Sequence, residues 1–234
     1  MHHLDGSDRH VLLLQMYGTM MEALGPSHWW PAETPFEVCL GAILTQNTNW
    51  SNVDRALWNL RQADLLDPER LFAQDEDRVA ELIRPAGYFR VKTKRLKNFL
   101  FFLRSEARYD LSNLQKQSLE EVRAKLLKVK GIGPETADSI LLYALHKPSF
   151  VVDAYTTRIM SRHGLVPETI GYERLRSLFM DALPHEVQLF NEYHALLVRL
   201  GKKWCKKKSG VCSECPLQGL KQSAQPLAGL NIEV

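Results

Sequence analysis

Several things are scarce in this chain of 234 residues, and each scarcity excludes something. No apolar run approaches the roughly 18 residues of a membrane-spanning helix, so no membrane role is expected. No segment alternates apolar and polar residues with period two for long, and Val151-Val152 is too short to make a strand, which argues against a β architecture. The sequence shows no internal repeat or low-complexity segment. The N-terminus places His2, His3, Asp5, Asp8 and Arg9 before a short amphipathic run. That is not the layout of a signal peptide, and a cytoplasmic protein of prokaryotic type, used at the nucleoid, is expected. Net charge is only +3, so composition alone does not announce nucleic-acid binding. Cysteine is limited to Cys39, Cys205, Cys212 and Cys215. The last three fall close together, which in a cytoplasmic protein suggests metal rather than disulfides.

What is present is helical. Residues 8–24 carry apolar positions at helical spacing and stop at Gly25-Pro26. Thr34-Pro35-Phe36-Glu37 reads as a capping box opening a nearly all-apolar, buried helix over roughly 35–46. Thr45-Gln46-Asn47-Thr48 marks where that helix reaches the surface. Asn49 or Ser51 opens the next helix, to about 62. Asp67 and Asp75 cap two short ones, and a basic helix runs over roughly 91–107. Ser118 with Glu121 forms a second capping box for a helix to Val129, and another helix runs from Pro134 to about His146. Patterns near 171–183 and 186–204 complete an all-α protein of one large or two small domains. Two basic clusters stand out: Lys92, Lys94, Arg95 and Lys97, and Lys202, Lys203, Lys206, Lys207 and Lys208. Either reads as a solvated helix face or a phosphate-binding patch.

Two features carry chemistry. Gly131-Ile132-Gly133 sits between two amphipathic helices. A glycine turn there can point successive backbone N–H groups and a helix N-terminus at a phosphate. It is equally the glycine cap of an ordinary helical hairpin. Twenty residues past Gly133 comes Asp153, where a helix should begin. It reads as a helix N-cap, as an acid that could attack a nucleotide, or as both.

The run VKGIGPETADSILLYAL followed by VVDAY resembles the helix-hairpin-helix and Gly/Pro…Asp segment of the endonuclease III superfamily of DNA glycosylases, and LTQNT and the C-terminal cysteines fit the same pattern. The resemblance covers roughly residues 30–221. It implies two α-helical domains flanking a DNA-binding cleft: a helical barrel over 34–146 ending in the hairpin, and 1–33 joined with 147–221, which carries the cysteine loop. Residues 222–234 are expected to be a flexible tail. Asp153 matches the family's catalytic aspartate. The lyase members carry a lysine two residues after the second hairpin glycine; that amine forms a Schiff base. Here the position is Glu135, which implies base removal without strand cleavage. Glu135 points either into the base pocket or simply sits at the positive end of its helix.

Trp29, Trp30, Pro31 and Trp50 resemble the base-stacking positions of the 3-methyladenine glycosylase branch. Aromatic faces suit a cationic alkylated purine flipped out of damaged double-stranded DNA. Gln46 matches the residue that fills the vacated duplex position, and Tyr88, with Phe89 as alternative, the wedge in the opposite strand. Asn47, Lys92 and its basic neighbours are expected on backbone phosphates. Cys205, Cys212 and Cys215 follow Cys-x6-Cys-x2-Cys; the family continues with a fourth cysteine that completes a [4Fe–4S] ligand set. That place is Lys221, so the resemblance implies a [4Fe–4S] cluster with an incomplete ligand set, a [3Fe–4S] cluster in its place, or a vestigial loop without one, with zinc a minor alternative. The expected protein is a monomeric, monofunctional glycosylase for alkylated purines. Two alternatives stand beside it: an endonuclease III-like enzyme for oxidised or mismatched pyrimidines, and a non-catalytic helix-hairpin-helix DNA-binding module.

Overall fold

The computed structural model describes residues 6–27, 29–30 and 32–222; Pro31 and the expected tail from 223 onward lie outside them. Among the described residues there is no strand, only an isolated bridge between Cys205 and Gly210. No described helix is long and apolar enough to cross a membrane. The chain divides into two compact units, one made of residues 1–29 and 150–234, the other of 30–149.

The first unit contains α1 (Gly6–Leu24), α10 (Ala154–Arg162), α11 (Tyr172–Ala182) and α12 (Val187–Lys203). Its core is aromatic. Phe150 stacks on Phe179 with centroids 3.9 Å apart, and Phe190 and Tyr193 meet Phe150 edge-on. The Tyr193 hydroxyl is fully buried and donates to the Leu13 carbonyl at 2.9 Å, tying α12 to α1. Burial pushes that phenol's pKa up, so it stays a donor.

The second unit contains α2 (Pro35–Leu44), α3 (Trp50–Gln62), α4 (Pro68–Ala73), α5 (Glu76–Leu82), α6 (Phe89–Ala107), α7 (Ser112–Gln115), α8 (Leu119–Leu127) and α9 (Pro134–Ser139). Apart from Pro35, every residue of α2 is buried, so it forms the axis of this unit. Asn49, Asp67, Asp75 and Ser118 each accept a backbone N–H at their helix N-termini, and Ser118 with Glu121 completes a reciprocal capping box. The box expected at Thr34 is only half formed. Thr34 Oγ1 accepts from the Glu37 N–H, but the buried Glu37 carboxylate accepts instead from the Glu33 N–H and from Arg61, 2.8 Å away. The helix from Pro134 also departs from the expected pattern: after α9 it widens into a π-turn over Ile140–Ala144. Such turns recur at functional sites.

Candidate functional site

The second unit holds the glycine hairpin with its carbonyl side tied down. Asn98 Nδ2 donates to the Lys130 carbonyl at 2.9 Å. Gln46 Nε2 donates to the Gly131 carbonyl and to Thr136 Oγ1, and Arg95 donates to Gln46 Oε1. Buried Ile132 anchors the turn from below. Gly131 requires glycine twice over: its φ is +97°, and an added Cβ would sit 2.4 Å from Arg95 Cγ. Gly133 is different. Its φ of −93° suits any residue, and nothing lies within 4 Å of an added Cβ. What it provides is open space over the first turn of α9, whose backbone amides have no intrahelical acceptors. Arg123 and fully buried Asp138 clamp α8 to α9 through a bidentate pair at 2.8 and 3.0 Å, and Ser149 Oγ donates to the same carboxylate.

Trp30 and Trp50 come together in this unit. Their rings meet edge-to-face at 5.1 Å, and Tyr143, carried on the π-turn, lies 4.9 Å from Trp30. Both tryptophans approach the backbone of α2 at Gly41, where an added Cβ would be 3.2 Å from one ring and 3.3 Å from the other. Sequence reasoning missed Tyr143 and Gly41. A glycine inside an apolar helix was a signal of close approach, whereas nothing local marked Tyr143. Trp29 belongs to the first unit. There it lines a cavity of about 540 Å³ with Tyr17, Met21, Leu189 and Glu192, the last held by Ser27. Glu135 is exposed in the first turn of α9, where the helix dipole favours its charge.

Asn47 and Tyr88 project from two turns of the same unit. Both are held at positive φ, 57° and 46°, a conformation that non-glycine residues rarely adopt. Tyr88 follows Gly87 and is 73% exposed. Phe89 instead packs under the Arg84 guanidinium, 5.6 Å from the ring centroid. The expectation for Lys92 is overturned. It is 1% exposed, and its Nζ donates to the Leu44 carbonyl at 2.9 Å and the Ala86 carbonyl at 2.7 Å. It therefore has no free charge for a phosphate; it ties the turn carrying Gln46 and Asn47 to the turn carrying Tyr88. Burial, with the nearby Arg95 charge, lowers its pKa to about 8. Lys97 is likewise taken up, by carbonyls at the end of α4, leaving Lys94 as the exposed lysine of that cluster.

In the first unit Asp153 caps α10. Its Oδ1 accepts from the Thr156 N–H at 2.8 Å and from Thr156 Oγ1 at 3.0 Å. Its Oδ2 faces His194 Nε2 at 3.6 Å, and the two side chains are 13% and 8% exposed. Burial pulls this carboxyl up, but the imidazole and the Thr156 donors outweigh it and hold the pKa below the usual range, so the group is ionised at neutral pH.

Residues 40–185 match the model of the HhH-GPD superfamily of base excision DNA repair proteins. The chain belongs to the HhH-GPD superfamily. A candidate DNA repair glycosylase of Methanocaldococcus jannaschii is 46% identical over 209 residues, covering 88% of this chain and 94% of that protein. Endonuclease III of Thermotoga maritima is 29% identical, covering 79% of this chain and 81% of its own. Among solved structures, the H. pylori 3-methyladenine DNA glycosylase bound to 1,N6-ethenoadenine superposes with a TM-score of 0.71 at 28% identity, covering 83% of this chain and 97% of its own. A non-covalent endonuclease III–DNA complex, at 20% identity, shares the fold with a TM-score of 0.77 over 90% of this chain and 94% of its own.

The cysteine loop follows α12, beyond the residues that match the HhH-GPD model. Arg158 Nε donates to the Cys205 carbonyl at 2.8 Å. Arg162 spans the carbonyls of Lys206 and Lys207 and lies 3.4 Å from Cys205 Sγ. Cys205 and Cys215 are half-buried and Cys212 is exposed. Among the described residues, no three His, Cys, Asp or Glu side chains gather into a metal-binding group. Three thiols are one short of the four that ligate a [4Fe–4S] cluster. Arginine contacts hold the loop.

Proposed function

We propose that this HhH-GPD protein is a monofunctional DNA glycosylase that removes alkylated purines, 3-methyladenine among them, from damaged double-stranded DNA. The observation that carries this reading is the cluster of Trp30, Trp50 and Tyr143 packed at Gly41, a polarisable aromatic surface suited to a flipped, cationic base. The likeness to the H. pylori 3-methyladenine glycosylase supports it. In this reading the hairpin takes a DNA phosphate on its open amide side, Gln46 fills the vacated position and Tyr88 wedges the opposite strand. Ionised Asp153 stabilises the positive charge that develops on the sugar. The C1′–N bond breaks with its electron pair going to the base. An N3-alkylated adenine already carries positive charge, so it departs neutral without being protonated. A water oxygen then bonds C1′, and its proton passes to Asp153 and on to solvent. Glu135 stands where the lyase members carry lysine, and a carboxylate forms no Schiff base.

The test is incubation with duplexes carrying methylated purines or oxidised pyrimidines, with the released bases identified. Free 3-methyladenine and strands that break only after alkali are expected. Release of oxidised pyrimidines instead would favour the endonuclease III-like alternative, and a borohydride-trapped protein–DNA adduct would overturn the monofunctional assignment.

A further inference from the structure

His194 is buried beside Asp153 and makes no direct contact with substrate in the proposed reaction. It lies on α12, whose rotation is fixed by the buried Tyr193 hydroxyl on the Leu13 carbonyl. Asp153 caps α10, and α10 packs against α12 with no slack. A Cβ on Gly201 of α12 would lie 2.3 Å from Tyr155 Cδ1 of α10, and Arg158 of α10 reaches the Cys205 carbonyl just past the end of α12. Asp153 and His194 are thus held in fixed register by two rigid elements. The two carboxylate oxygens are not equivalent. Oδ1 is engaged by the helix cap, and Oδ2 is met by the imidazole.

We infer that His194 is a positioning residue for Asp153: its Nε2 holds Oδ2 in one orientation, so that the carboxylate presents its charge to the reacting sugar without a rotation that would break the cap. The separation of 3.6 Å is longer than an N–H···O hydrogen bond, whose usual range is about 2.7–3.2 Å, and such contacts in free enzymes tighten in the reacting complex. A histidine that merely fills core space needs any polar partner. This one is aimed at the oxygen that the cap leaves over. The inference rests on the reading of Asp153 as the catalytic carboxylate.

The test is single-turnover release of 3-methyladenine alongside affinity for a duplex with an abasic-site analogue. His194→Phe keeps the ring volume and removes the donor; its release rate should fall on the order of 100-fold with affinity unchanged. His194→Gln, whose amide reaches the place of Nε2, should recover most of that loss. Wild-type rates in His194→Phe, or equal losses in both variants, would overturn the inference. Should the Phe variant not fold, 15N-labelled histidine in the otherwise intact protein decides. The His194 Nε2 resonance should move on Asp153→Asn, and an unmoved resonance overturns the inference. Asp153→Asn separates the two levels. Undiminished release there sinks the catalytic reading itself, whereas an inactive Asp153→Asn beside a fully active His194→Phe sinks only the role of His194.

Discussion

The two units treat their key side chains differently. In the unit of residues 30–149, candidate DNA-facing groups are over-determined. Gln46 is gripped by the Gly131 carbonyl, Thr136 and Arg95; Trp30 and Trp50 rest on Gly41; and buried Lys92, itself withdrawn from DNA, ties together the turns that carry Asn47 and Tyr88. In the other unit, Asp153 has one oxygen tied by a helix cap and one facing a single imidazole at long range. A surface that must accept a distorted duplex gains from being built in advance, because ordering it during binding would subtract from affinity. A carboxylate that must meet a developing charge needs fixed direction and an oxygen that the fold does not consume.

Perturbing the over-determined unit should therefore cost stability first. The largest expected effect is Asp138→Ala, which leaves the Arg123 guanidinium without its buried bidentate partner. Loss of about 3–5 kcal/mol in urea unfolding is expected, and a loss near zero would show that the clamp between α8 and α9 is dispensable. Next comes Lys92→Met, which removes a donor from the Leu44 and Ala86 carbonyls. A loss of about 2 kcal/mol at neutral pH is expected in the same measurement. That contrast sharpens with pH. The folded pKa near 8 lies below the ordinary lysine value of 10.5, so between these values the unfolded chain binds more protons. Stability contributed by this group accordingly rises as pH climbs through that window, and Lys92→Met should lack the rise. A variant with the wild-type pH slope would contradict the burial assigned to this lysine.

Local features were legible in the sequence. The caps at Asn49, Asp67, Asp75, Ser118 and Asp153 could be read because an N-cap is decided within three or four residues. Features decided by distant packing were not. Lys92 sits among basic residues and looked like part of a charged face, yet its stem enters the core, and the carbonyls that receive it come from elsewhere in the unit. Glu37 matched a capping box, but an arginine 24 residues on competes for its carboxylate. Tyr143 owes its place to a π-turn that no periodicity announces. His194 is one histidine in an amphipathic helix, 41 positions from Asp153, and only the packing of α10 on α12 brings them together.

The proposed division between a unit that holds DNA and a carboxylate that acts has one direct test, base release by Asp153→Asn. Asparagine is as good an N-cap as aspartate, so α10 keeps its start while the charge disappears. Single-turnover release of 3-methyladenine should fall by a thousandfold or more, about 4 kcal/mol of transition-state stabilisation, while affinity for duplex DNA and the melting temperature stay near wild type. Release at the wild-type rate would contradict the account.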